Sequence, residues 1–195
     1  MLHLARMFGT GTVKGIRNYI DTQKKYEIMR TILYFGLSLG LFVTGYVTTK
    51  TKTNLLTIVA VVGCLPACKS LVNAIMFLRY RSCPSRDADL IDASKGILNG
   101  LYDLVFTSYQ KNYVVDHLTV WGSNICGYSH CSDFPEKEFQ AHLEGILRAD
   151  GHKNYTIKIF RDLKKYTDRL EQLQELDADP KYTAQVIDTL KSVTL

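Results

Sequence analysis

The chain has 195 residues, of which 46% are hydrophobic, and a formal net charge of +5. Its charge is unevenly divided: residues 1–78 carry nine basic and two acidic side chains, residues 79–195 fifteen and seventeen. The second part, which reads as a folded domain, has no basic excess to neutralise phosphates, which argues against nucleic acid as a main partner.

The first thirty residues lack the pattern of a cleaved signal, since 1-MLHLARMF-8 is short and no small-residue site follows an apolar region. In 12-TVKGIRNYIDTQKKYEIMR-30, Val13, Ile16, Tyr19 and Ile20 recur at helical spacing between basic residues. That pattern predicts a helix lying on an anionic membrane surface. Arg6, Lys14, Arg17, Lys24, Lys25 and Arg30, with Arg79 and Arg81 further on, are the candidate headgroup contacts.

Residues 31–78 contain no Asp or Glu. The run 31-TILYFGLSLGLFVTGYVTT-49 is free of charge. As a helix it reaches roughly 28 Å, close to the ~30 Å of a hydrocarbon core. Gly36 and Gly40 in 36-GLSLG-40 form a G-x-x-x-G pair suited to helix packing. A second span is expected over about 54–74 of 54-NLLTIVAVVGCLPACKSLVNAIMFL-78, with Pro66 predicting a kink or local unwinding. Lys69 then lies near the end of the span, where its stem carries the ammonium out to the headgroups.

The connector 50-KTKT-53 allows only a tight turn, so residues 31–80 read as a transmembrane hairpin. Basic residues concentrate on the long flanks, which places both termini in the cytoplasm and the tip across the cell membrane. Cys64 and Cys68 fall inside the bilayer, and Cys83 just outside it is placed for acylation.

From Asp87 to Leu195 the pattern is that of a separate α/β domain. Over residues 87–110, Leu90, Ile91, Ile97, Leu98, Leu101, Leu104 and Val105 follow a helical period. Residues 113–129 read as a β-hairpin turning at Gly122, Ser123 and Asn124. A helix capped by Asp133 follows, with Phe139, His142, Leu143, Ile146 and Leu147 on its buried stripe and Gly151 at its end. The strand 155-YTIKIF-160 precedes two helices with stripes Leu163, Tyr166, Leu170, Leu173 and Tyr182, Val186, Leu190.

The predicted fold is therefore α+β: a two-helix hairpin followed by a domain of order α-β-β-α-β-α-α. A three-stranded mixed sheet is covered by helices, its second and third strands parallel through a right-handed crossover. An uncovered edge would be open to a partner's strand.

Cysteine and histidine concentrate in 126-CGYSHC-131, with His117 and His142 nearby in sequence. Cys126, His130, Cys131 and His142 are the candidate metal ligands, but their spacing lacks the paired knuckles of a structural zinc site, and no cofactor is expected. Cys126 or Cys131 with His130 or His117 is the candidate nucleophile and base. The element order invites comparison with nuclease cores built from a helix, a β-meander, a helix and a strand. Such cores need carboxylates and a lysine on adjacent strands. Asp116 is the one acid on the first predicted strand, and Lys158 has no acidic neighbour in its own, so that activity is not carried over.

In 161-RDLKKYTDRLEQLQELD-177, Arg161, Lys164, Lys165 and Arg169 lie near the start and Glu171, Glu175 and Asp177 near the end, against the helix dipole. Lipid headgroups or an acidic partner would account for this order. These features predict a two-span membrane protein whose cytoplasmic domain binds a protein partner or senses a signal. A membrane-anchored enzyme using the Cys/His residues, or an oligomeric pore formed by self-association of the hairpin, are the alternatives.

Overall fold

The structure, a computed structural model, describes residues 14–51, 54–108, 111–152, 154–176 and 180–195, with 180–182 described by backbone alone. Arg6, Val13 and the side chain of Tyr182, named above, lie outside the described residues. Two compact units are present: a helical hairpin within residues 20–81, and an α/β unit that joins residues 13–19 to 82–195.

The hairpin consists of α1 (Tyr19–Thr49) and α2 (Leu55–Leu78), both long and apolar enough to cross a membrane. Asn54 starts α2: its side-chain oxygen accepts from the Thr57 amide at 2.8 Å, satisfying one of the free donors of the first turn. The helix continues unbroken through Pro66 to Leu78, so the local unwinding expected at the proline is absent. One proline removes a single backbone bond, and the turns on either side keep theirs.

Burial in the hairpin recurs every seven residues: Thr31, Ser38 and Gly45 on α1, Ala60, Ala67 and Ala74 on α2. Small side chains fill this seam, and large apolar ones such as Ile32, Leu37, Leu55 and Leu65 point outward. At Gly63 the helices approach closely, since a Cβ there would stand 2.8 Å from the Ser38 Oγ and force it to shift. The seam also holds a polar cluster in which Thr31 Oγ1 donates to Ser70 Oγ at 3.1 Å and Ser70 donates to the Glu27 carboxylate at 3.0 Å. Gly36 and Gly40, singled out for packing, meet nothing within 4 Å. Within one chain the helices instead meet through Ser38, Gly45 and Gly63.

The α/β unit contains α3 (Ser85–Ser94), β1 (Gly100–Thr107), β2 (Asn112–Trp121), β3 (Asn124–Tyr128), α4 (Glu136–Ala149), β4 (Thr156–Phe160), α5 (Leu163–Gln174) and α6 (Pro180–Val193). The sheet has four strands in the order β1-β2-β3-β4, not three; β1, β2 and β3 form an antiparallel meander and β4 lies parallel to β3. The element order is therefore α-β-β-β-α-β-α-α. The helix read over 87–110 ends at Ser94, and Gly100–Thr107 is a strand buried on both faces, so the apolar positions on its two sides merge into one run.

Two cores flank the sheet. Phe106, Val115, Leu118, Ile125 and Ile159 pack with Phe139, Leu143, Val186 and Leu190 on one face; Tyr102, Cys126 and Tyr128 pack with Ile91, Tyr166, Leu170 and Leu173 on the other. The Asp133 cap is not formed, as α4 begins at Glu136 with Pro135 at its N-cap and no side-chain bond there. Asp162 does cap α5, accepting from the amides of Lys164 and Lys165 at 3.0 and 3.4 Å.

Residues 14–19, immediately before the hairpin, also belong to this unit. Gly15 O accepts from the Tyr102 amide at 2.9 Å, and Lys14 donates to the carbonyls of Lys191 and Thr194 at the end of α6. Arg17 bridges Asp89 and Asp92 of α3, each at 2.8 Å. Lys14 and Arg17, read as membrane-surface residues, thus spend their donors inside the unit, and burial holds the Lys14 ammonium below its ordinary pKa. Residue 15 together with Thr194 and Leu195 covers the outer edge of β1, leaving β4 as the open edge. A piece beginning at residue 87 lacks these contacts.

Candidate functional site: a cation-lined groove

The structure separates the cysteine and histidine candidates. His117 on β2 is fully buried, its Nδ1 2.6 Å from the Tyr166 hydroxyl and its Nε2 aimed at Gly100. Burial lowers its pKa to about 3, so it is neutral at physiological pH. Cys126 is 2% exposed, and burial raises its thiol pKa despite the Arg169 guanidinium beside it. The one ring nitrogen of His117 with a partner is held by Tyr166 and not by a thiol, so no activated Cys126–His117 pair is formed.

His130 follows β3 and binds Asp116, which accepts from the His130 amide at 2.6 Å and lies 2.7 Å from its Nδ1. Cys131 is exposed, and His142 on α4 packs beside the Tyr113 ring at 5.6 Å. Among the described residues no three His, Cys, Asp or Glu side chains are placed to hold a metal ion.

Asp103 escaped the reading from sequence, because its strand was taken for a helix. It adopts φ 55° in the middle of β1 and accepts from the Cys83 amide at 2.8 Å. Asp103 and Asp116 therefore do lie on adjacent strands, as carboxylates of nuclease cores must. Each, however, is engaged by the local donors just described, and β3 supplies neither an acid nor a lysine. Asp87 accepts from the Tyr128 hydroxyl at 2.9 Å. Burial raises the pKa of Asp116, and the bonds from His130 work against that shift. This end of the sheet has the geometry of internal cross-links.

A groove of about 560 Å³ lies between α5 and strands β3 and β4. Thr156, Lys158 and Phe160, at alternate positions of β4, share one face and contribute to its lining. From α5 come Lys165, Arg169 and Gln172, one turn apart; Asp168 is the single acid among the lining residues. Asn124 and Cys126 of β3 complete it.

Lys158, Lys165 and Arg169 have no carboxylate within 4 Å among the described residues, whereas Arg17, Lys95, Lys111 and Arg161 of the same unit are all ion-paired. Arg169 donates to Gln172 at 3.1 Å, and the Lys158 ammonium stands 5.1 Å from the Phe160 ring centre. The reversed charge order of α5 was visible in the sequence. That it faces a third cation on β4 was not, because the pairing depends on how α5 crosses the sheet. No known protein family, characterised protein or solved structure matches this chain.

Proposed function

We propose that this is a membrane-anchored binding protein, in which the hairpin holds a cytoplasmic α/β domain that recognises a partner or ligand through the groove on its β4 side. The observation that carries the anchor is the inverted burial of the hairpin. Only 17% of the most apolar stretch of each helix is buried, and what is buried is mostly small or polar. A core helix of a soluble protein buries its apolar side chains. Here they face outward, as lipid requires.

The α/β unit includes chain from both sides of the hairpin, which supports an even number of crossings. Lys24, Lys25, Arg30, Arg79, Arg81 and Arg86 flank the base, against Lys50 and Lys52 at the tip, which favours the base on the cytoplasmic side. The Thr31–Ser70 bond sets exposed Lys69 level with Arg30, where the uncharged run begins. That position supports snorkelling to headgroups.

Binding is favoured over catalysis because Cys126 and His117 are buried and His130 is engaged by Asp116, whereas the groove is open and its cations lack carboxylate partners among the described residues. One observation favours self-association as a second role: Gly36 and Gly40 face open space and are free for a helix of another chain. Washing membranes with alkaline carbonate tests the anchor. The full chain is expected to stay in the membrane pellet, and release into the supernatant would remove the anchored reading.

A further inference from the structure

We infer that the groove between α5 and β4 binds a phosphate-bearing ligand, an inference that rests on reading this groove as the binding site. Three cations from two elements converge there without carboxylate partners among the described residues. Lys165 stands in the first turn of α5, where the helix dipole is already positive, and Lys158 and Arg169 add further positive charge to the same groove, an arrangement that costs stability. An anion seated among them reverses the sign of all these terms.

The chemistry of the donors favours phosphate. Arg169 offers a planar fork and Lys158 and Lys165 offer mobile ammonium groups. Asn124, Thr156 and Gln172 add neutral donors around the same space. A single carboxylate presents two oxygens, whereas a phosphate presents three or more and can occupy this spread of donors. Asp168, on the lining between Lys165 and Arg169, disfavours a surface that is only attracted diffusely, and it leaves a net charge of +2 from the lining residues. The volume falls within the roughly 300–1,000 Å³ of small-ligand sites. The absence of a basic excess elsewhere in this part of the chain argues for a small ligand over a long polyanion.

Both a free phosphorylated metabolite and a phospholipid headgroup carry this chemistry, and one experiment separates them. Inorganic pyrophosphate is titrated into the full chain held in nanodiscs of phosphatidylcholine, at low ionic strength, and binding heat is recorded. Saturable binding is expected. Lys158→Gln with Arg169→Gln should weaken it about a hundredfold or more, at roughly tenfold or more per charge-assisted contact. Lys165→Gln alone should weaken it about tenfold.

Lys164→Gln, an exposed residue of the same helix turn outside the groove, should leave binding and melting temperature unchanged. If adding phosphatidylglycerol to the nanodisc raises the apparent Kd, headgroups reach the groove. If the Kd is unchanged, the ligand is a free phosphorylated molecule. No saturable binding, or an equal loss in the Lys164→Gln protein, overturns the inference. A chain that fails to bind pyrophosphate yet resists carbonate extraction loses the phosphate ligand and keeps the anchored reading.

Discussion

Tyr166→Ala is expected to cost the α/β domain about 4 kcal/mol, a value drawn from large-to-small substitutions at buried aromatic positions. Tyr166 is fully buried on α5 and packs its ring against His117, Tyr128 and Phe160 at centroid separations of 5.8 Å. Its hydroxyl is the partner of His117 Nδ1 and also reaches the Cys126 carbonyl at 3.4 Å. Removing the ring opens a cavity where α5 meets the sheet and strands a buried imidazole. Against the roughly 5–15 kcal/mol total of a typical domain, such a loss leaves little margin. Tyr166→Phe keeps the ring and loses only the hydroxyl, for about 1–3 kcal/mol. Thermal melts of the full chain in mild detergent should rank wild type above Phe and Phe above Ala; equal melting temperatures for wild type and Ala would show that α5 does not depend on this residue.

Acid should destabilise the same domain through His117. Its folded pKa of about 3 lies below the ordinary 6.5, so between these values the unfolded chain binds the extra proton and stability falls as pH falls. The contribution is intact above pH 6.5 and shrinks by up to about 1.4 kcal/mol per pH unit below it, or on the order of 2–3 kcal/mol by pH 4.5. Asp116 acts in the opposite direction, because its raised pKa makes the folded state the better proton binder as pH falls. Comparison with His117→Gln isolates the histidine: its melting temperature should start lower and fall less steeply between pH 7 and 4.5. Parallel curves would mean that His117 does not titrate on unfolding in this range.

Long-period and local signals carried most of the architecture in the sequence. The two apolar runs located the helices of the hairpin, and the turn at Gly122 and Ser123, the alternating β4 strand and the stripes of α4 and α5 stand where their patterns placed them. Strand β1 was misread for a physical reason. Asp103 takes a left-handed backbone conformation, shifting the alternation so that Leu101 and Leu104, three apart, enter the same core. A spacing of three followed by Val105 imitates a helix face.

In the hairpin, attention to Gly36 and Gly40 missed the seven-residue repeat of Ala60, Ala67 and Ala74, which was present in the sequence and marks the seam. The roles of Lys14 and Arg17 could not be read from sequence, since their partners at Lys191, Thr194, Asp89 and Asp92 lie 72 to 180 residues away. The groove is of the same kind: alternation puts Lys158 on one face of β4 and helical spacing puts Lys165 and Arg169 together. Only the docking of α5 on that face makes them neighbours.

Labelling of single cysteines with a membrane-impermeant thiol reagent on intact cells tests the membrane hairpin and its orientation most directly. Cys83 is a poor reporter because it is buried, so Cys131, exposed after β3, serves for the α/β domain and Thr51→Cys for the hairpin tip. A chain whose only cysteine is at position 51 is expected to label on intact cells, and one retaining only Cys131 is expected to label only after permeabilisation. Labelling of Cys131 on intact cells with protection at position 51, or identical behaviour at both positions, would contradict an anchored domain on the cytoplasmic side.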